Sequence, residues 1–419
     1  MTSFATNITR VLRGTVAAQL LLLVAMPVIT RLFSPANFGA VQALQSVLTF
    51  LLVCSALRLE VAILSETEEE IDALVATCFW ICCATSGIVA LSIAVWELVA
   101  GAGDTSLGGL VYLVPFSMLF AGLGLIVSYL VLRSHLFDVG AGAKIAQAAS
   151  YSGAAILFGL ISPAAIGLGF ADLFGKAIYW FVCFRNLAIG KGLKLSSLDW
   201  SRAKAVIGRH RQLVCVSLPG ALINVLGSSY TPMMLLLLFS ASEAGHYALI
   251  ERMIGGPVGM VSGAASQVFM ADFSAMGRNN PGAQKTQFRS LVLNQLKLAV
   301  LPAVGFFFAA PAVIPWIFGS EWELAGRYAQ IMTPLFVASF VVGPVNMALT
   351  IAGFQSIQFV WDAGRLIAIA AVWWFVFDTK MNSTSALSIY CAAAVVCFAV
   401  YLFVTDRALA KRAFMEESL

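Results

Sequence analysis

A chain of 419 residues that is 60% hydrophobic and 11% charged, with a mean hydropathy of +0.90, carries too few charges to keep a folded soluble surface dispersed, because soluble domains carry about 25%. This excludes a soluble enzyme, a secreted disulfide scaffold, a nucleic-acid-binding domain and a disordered chain, and it leaves an integral membrane protein. The net charge of +4 says little alone; the placement of the basic residues says more.

At about 20 to 25 residues per span, twelve apolar helices are expected. In chain order they cover approximately residues 11–32, 38–64, 71–100, 110–132, 141–161, 164–185, 212–239, 244–273, 289–318, 325–352, 357–377 and 385–405. The runs are long and continuously apolar, unlike the short alternating segments of a membrane barrel. Such segments close their own backbone hydrogen bonds as helices. The first run is expected to remain as a span. It exceeds a signal-peptide core and ends at Thr30-Arg31 without a small-residue cleavage site.

Lysine and arginine placement sets the orientation. With the N-terminus cytoplasmic, eighteen of the 25 basic residues fall on the inner side. The outer loops hold only Arg31, Arg327 and Lys380, while Lys176, Arg252, Lys297 and Arg365 lie within spans. Both termini are therefore expected in the cytoplasm. The acidic cluster Glu66, Glu68, Glu69, Glu70 and Asp72 is also on the inner side, but acidic residues count little in this rule.

The longest polar stretch, residues 187–211, follows the sixth helix and is rich in Lys and Arg. It reads as a cytoplasmic linker beside anionic lipid, between lobes 1–186 and 212–419. The halves resemble each other. Leu32-Phe33-Ser34 before Gly39 matches Leu238-Phe239-Ser240 before Gly245, shifted by 206 positions. Pro115 and Gly124 match Pro334 and Gly343, shifted by 219. An even number of helices per repeat inserts both halves the same way up. The expected fold is thus all-α, with two six-helix lobes related by a pseudo-twofold axis along the membrane normal.

Particular residues point further. Helix 1 ends Met26-Pro27-Val28-Ile29-Thr30-Arg31-Leu32-Phe33-Ser34-Pro35-Ala36-Asn37-Phe38-Gly39, and helix 2 ends Leu57-Arg58-Leu59-Glu60-Val61-Ala62-Ile63 before the acidic turn. In helix 8, Tyr247-Ala248-Leu249-Ile250-Glu251-Arg252 precedes Pro257 and Ala265-Ser266-Gln267-Val268-Phe269. These segments resemble the polysaccharide transporter family of O-antigen and oligosaccharide flippases, within the multidrug/oligosaccharidyl-lipid/polysaccharide exporter superfamily. Helices 9 to 12 carry no comparable motif. The resemblance implies a bacterial inner-membrane protein that moves an undecaprenyl-diphosphate-linked oligosaccharide to the periplasmic leaflet by alternating access. It also implies cationic residues in a central cavity that hold the diphosphate.

Charges inside spans are costly and each needs a reason. Asp172 and Lys176 (i,i+4) and Asp362 and Arg365 (i,i+3) are expected to pair along their own helices. Arg252 does not face Glu251 directly. The glycines Gly255, Gly259 and Gly263 beside it offer either a close helix contact or room for a guanidinium. Arg58 and Glu60 lie near the inner end of helix 2, where snorkelling competes with a cavity role. Arg10 and Arg13 sit at the inner mouth and either orient helix 1 or meet an anionic head group. Lys297 has no obvious local partner. Arg58, Glu60, Arg252, Arg10, Arg13 and Lys297 are therefore the candidate substrate-binding residues. Arginine suits a diphosphate because it stays charged and can bind two oxygens at once.

No GxxxxGK[ST] loop and no convergent nucleophile or acid–base set is present, so neither ATP use nor an enzyme is expected. The eight cysteines lie in or beside apolar runs without metal or redox spacing, and no metal or other cofactor is expected. Trp96, Trp180, Trp316 and Trp322 are expected at membrane interfaces. The expected partners are the lipid-linked oligosaccharide, membrane lipids and a coupling H+ or Na+, around a monomeric transport unit. A drug or organic-cation antiporter of the same superfamily is the alternative; it would use a membrane carboxylate such as Asp172, Glu251 or Asp362. A membrane-bound glycan polymerase or ligase would need a large outer loop, and the outer loops here are short.

Overall fold

The computed structural model describes residues 2–100, 108–191, 200–279 and 281–417. Among them no strand occurs. The α-helices are α1 (Thr2–Leu32), α2 (Pro35–Ser55), α3 (Ile71–Ala100), α4 (Val114–Arg133), α5 (Phe137–Ile161), α6 (Ala165–Lys191), α7 (Trp200–Arg209), α8 (Leu218–Leu238), α9 (Ala241–Ile250), α10 (Gly256–Asn279), α11 (Pro281–Phe318), α12 (Glu323–Val342), α13 (Ala348–Ile351), α14 (Gln355–Thr379) and α15 (Ser383–Glu417). Ten helical stretches among the described residues are long and apolar enough to cross a membrane. They match the expected spans 1–6 and 9–12. The expected seventh and eighth spans are helical as well, but each contains a π-helical turn, Leu213–Ser217 before α8 and Glu251–Gly255 between α9 and α10. Neither is among the ten. The eighth carries His246, Glu251, Arg252 and Asp272 within its expected bounds. Of the linker, residues 192–199, with Lys194 and Asp199, lie outside the described residues.

Contacts divide the chain into two compact units, Met1–Gly245 and His246–Leu419. In the first, α5 packs along both α1 and α6, α4 along α6, α3 against α4, and α8 along α2. Small residues permit these approaches. A Cβ on Gly14 would lie 2.2 Å from that of Ala141, so α1 and α5 touch nearly backbone to backbone. In the second unit α11, α12 and α15 pack on one another, and α14 lies along α15. Its core includes Phe273, Val345, Leu349 and Tyr401.

Helix 2 departs from expectation. It stops at Ser55 rather than running to residue 64, because Leu57 and Arg58 adopt left-handed conformations (φ 53° and 65°) and Leu59–Leu64 winds as a 3₁₀ helix. Neighbouring side chains take up the carbonyls this exposes. Thr85 donates to the Ser55 carbonyl at 3.0 Å. Arg133 donates to the Ile63 and Glu66 carbonyls at 2.7 and 2.6 Å and to the Glu68 carboxylate at 2.8 Å.

The acidic turn that follows is a clasp for α7. Glu66 meets His210 Nε2 at 2.5 Å and Arg209 at 3.5 Å, and Arg209 also reaches Glu70 at 3.2 Å. Burial works against the Glu66 carboxylate, but the His210 imidazole, the Thr67 N–H and the Arg209 charge outweigh it and hold its carboxyl below the usual glutamate range. The acidic cluster thus anchors the basic helix α7.

The 206-residue repeat is visible as a contact inside the first unit. A Cβ on Gly39 would fall 1.6 Å from the Ala241 carbonyl oxygen, and one on Gly245 would fall 1.8 Å from that of Pro35. The shift that carries Gly39 to Gly245 also carries Pro35 to Ala241, so the contact is reciprocal, as a local twofold requires. The second match does not share local structure. Pro115 opens α4, whereas Pro334 lies in the middle of α12 and Gly343 beyond its end. Because the opposing atoms at the glycine contact are backbone, even a methyl forces the helices apart. Gly39→Ala and Gly245→Ala should each cost about 1–3 kcal/mol by overpacking. Melting of the purified protein in detergent checks this. Gly87→Ala, with nothing within 4 Å of its added carbon, should melt no lower than the parent. Parent-like melting of the Gly39 and Gly245 variants would contradict the close contact.

Candidate functional site

The break after α2 places Arg58 and Glu60 on one short turn. Glu60 is 2% exposed, and its Oε2 has no hydrogen-bond partner. Arg58 is half-buried, and its Nε likewise has none. The guanidinium lies close enough to act on the Glu60 carboxylate electrostatically. The turn is backed by Cys78 and Cys82 of α3, both fully buried, and by α4. Two ionisable side chains with unsatisfied atoms on one turn are poorly explained by scaffolding alone, since each orphaned group carries its desolvation cost.

The other candidates are distributed. Arg13 is exposed on α1, one residue before the Gly14–Ala141 approach. Lys144 of α5 reaches the Thr15 hydroxyl nearby at 3.0 Å. Arg10 is also on α1, with its side chain outside the described part. Arg252 is half-buried in the π-helical turn Glu251–Gly255 of the second unit. Such turns insert one residue and re-aim side chains, and they recur at functional sites. Of the two readings of the glycines after it, the close helix contact is not made at Gly259 or Gly263. A Cβ at Gly259 or Gly263 would meet nothing within 4 Å, and the space at Gly255 is filled by the Glu251 carboxylate. Lys297 is exposed on α11.

Asp172 and Lys176 pair as expected, Oδ2 to Nζ at 2.5 Å. Asp362 and Arg365 do not. Gln358 donates to Asp362 at 3.1 Å, and Arg365 lies over the Trp361 ring at 5.1 Å. Both partners sit four residues back, so i,i+4 neighbours displace the i,i+3 pairing. Among the tryptophans, Trp96 and Trp316 are exposed as interface anchors would be. Trp322 is instead fully buried against His246, and Trp180 stacks on Phe184. Cys78, Cys82, Cys183 and Cys391 are buried free thiols.

Sequence reasoning passed over a cavity in the first unit whose mainly apolar lining carries a few polar side chains. It measures about 250 Å³ and is lined by residues of α2, α4, α5 and α6, including Ser128, Gln147, Lys176 and Tyr179. The Asp172–Lys176 pair was legible; the cavity was not, because its polar residues come from separate helices.

Comparison with known proteins bears on this arrangement. A family model described as polysaccharide biosynthesis protein matches residues 28–326. No curated protein matches the chain. Among solved structures, the lipid II flippase MurJ in an inward closed conformation is similar over 96% of this chain and 89% of its own, with a TM-score of 0.72 and 12% identity. The Vibrio cholerae MATE transporter VcmN covers 98% of both chains with a TM-score of 0.58 and 13% identity. A multidrug/oligosaccharidyl-lipid/polysaccharide superfamily transporter from Pyrococcus furiosus covers 96% of this chain and 95% of its own with a TM-score of 0.57 and 10% identity. At these identities the likeness establishes the fold.

If the Arg58–Glu60 turn serves the cargo rather than the scaffold, Arg58→Ala should reduce transport about tenfold or more, the loss of one charge-assisted hydrogen bond, while membrane insertion and melting stay near the parent. Arg58→Lys should restore part of it. Full transport by Arg58→Ala would assign the turn to structure.

Proposed function

The chain belongs to the polysaccharide biosynthesis protein family, and we propose from that premise that it is a flippase for an undecaprenyl-diphosphate-linked oligosaccharide, such as an O-antigen unit, in the bacterial inner membrane. The observation that carries this reading is the family match over residues 28–326 in a chain with the fold of transporters of the multidrug/oligosaccharidyl-lipid/polysaccharide superfamily.

The physical problem explains the design. A glycan cannot enter hydrocarbon without losing its hydrogen bonds to water, so its head group needs a polar path while the lipid tail stays in the bilayer. Two six-helix lobes, residues 1–186 and 212–419 joined by the linker 187–211, would alternate access to that path, with both termini in the cytoplasm. Arg58, Arg252 and the further cations Arg10, Arg13 and Lys297 would hold the diphosphate, with Glu60 orienting Arg58. Moving an anion out of a negative interior gains about 2.3 kcal/mol per unit charge per 100 mV, and a coupled H+ or Na+ could add to it. No covalent chemistry is required, and a single copy of the chain would suffice.

Deletion of the gene should strand lipid-linked oligosaccharide on the cytoplasmic leaflet and remove the surface glycan. A deletion strain that exports its glycan normally but becomes sensitive to cationic dyes would favour an antiporter instead.

A further inference from the structure

The cavity within the first unit is lined by none of the residues proposed to hold the diphosphate, yet its lining has a definite chemistry. Lys176 side-chain exposure is 14%, and Asp172, with the same exposure, neutralises it at 2.5 Å. The local net charge is therefore close to zero, which disfavours an anion as the occupant. Asp172 takes one of the three ammonium donors, leaving two. Gln147 adds an amide that both donates and accepts. The Ser128 hydroxyl donates to the Leu125 carbonyl at 2.7 Å and keeps its acceptor lone pairs. The same cavity is lined by the rings of Phe120 and Tyr179 and by Leu52 and Leu125. Gly124 makes room for the Tyr179 ring, since a Cβ there would come within 3.3 Å of it.

Donors, acceptors and aromatic rings lining one small cavity match one kind of molecule. A pyranose has hydroxyls that both donate and accept, arranged around a ring with apolar C–H faces. An isoprenoid tail would leave the Lys176 and Gln147 groups unpaired, and a cationic drug would find the one carboxylate beside the cavity already paired with Lys176. A cavity of about 250 Å³ offers room for one sugar ring rather than an oligosaccharide. We propose that this cavity, held by Ser128, Gln147, Lys176 and the Phe120 and Tyr179 rings, is a subsite for one neutral sugar of the transported glycan. It rests on the flippase reading and adds a site to it: the sugar is read by residues other than those proposed to hold the diphosphate.

Equilibrium binding to the purified full-length protein in detergent separates the two claims. The probes are undecaprenyl diphosphate and the same lipid bearing a single glucose, galactose, N-acetylglucosamine or N-acetylgalactosamine. The parent protein should bind at least one sugar-bearing lipid about tenfold more tightly than the sugarless one, the worth of one or two well-placed hydrogen bonds. Gln147→Leu and the double variant Asp172→Asn/Lys176→Gln should each remove that tenfold preference and leave sugarless binding unchanged. Gln147→Met, which nearly conserves volume, serves if the leucine variant melts below the parent. Three results overturn the subsite: no preference for any sugar in the parent, a preference that survives in the variants, or an equal loss for both lipid classes. Failure of the parent to bind any of these lipids would instead sink the flippase reading, and the subsite with it.

Discussion

Hydrocarbon solvates neither a charge nor an unpaired peptide group, and the rest of this structure follows from that constraint. A regular helix satisfies it by default. Every irregularity then needs a substitute partner. Thr85 supplies one for the Ser55 carbonyl, and Arg133 supplies one for Ile63 where helix 2 breaks. In the second unit the Tyr401 hydroxyl donates to the Val345 carbonyl at 2.9 Å beside the 3₁₀ turn after α12, and Arg412 reaches the Ala352 carbonyl at 3.1 Å as α13 ends. Ion pairs answer the same demand. Asp172 and Lys176 pair on one helix turn, while Arg365 turns to an aromatic face instead. Other buried groups, Ser117, His246 and Trp373 among them, also lack a hydrogen-bond partner, but the Arg58–Glu60 turn combines two ionisable side chains with orphaned atoms two residues apart.

Much of the fold was legible in the sequence because a membrane helix announces itself by length and apolarity alone. The all-helical membrane class and ten of the spans follow from that signal. The interruption after Ser55 was not legible. Leu57 and Arg58 are ordinary helix formers, no glycine or proline marks the break, and the apolar run continues through Leu64. Tertiary contacts from α3 and α4 stabilise the left-handed residues, and a local pattern carries no trace of them. The i,i+3 pairing of Asp362 and Arg365 failed for a related reason: equal sequence plausibility does not rank a carboxylate against a tryptophan face one residue further back. Trp322 likewise shows that an aromatic at the end of an apolar run can be core.

The repeat and the cavity illustrate two limits of short motifs. Leu-Phe-Ser followed by glycine is a weak signal, yet its two copies meet in a reciprocal backbone contact that only glycine permits. Pro115 and Gly124 against Pro334 and Gly343 looked comparable and share no local structure. The polar residues of the cavity are separated by up to 48 positions in the chain, from Ser128 to Lys176, so no spacing rule could assemble them. Site chemistry here depends on which helices lie side by side.

The central claim is that this fold carries a diphosphate-linked glycan across the bilayer without covalent chemistry. Reconstitution of the purified protein into nucleotide-free liposomes tests it most directly, with lipid-linked oligosaccharide extracted from the deletion strain placed in one leaflet and its glycan scored by accessibility to an impermeant glycosidase. The account predicts that the glycan reaches the opposite leaflet only when the protein is present, and faster when the receiving side is electrically positive. Transfer equal to that of protein-free vesicles, under any imposed potential or gradient of H+ or Na+, would contradict it.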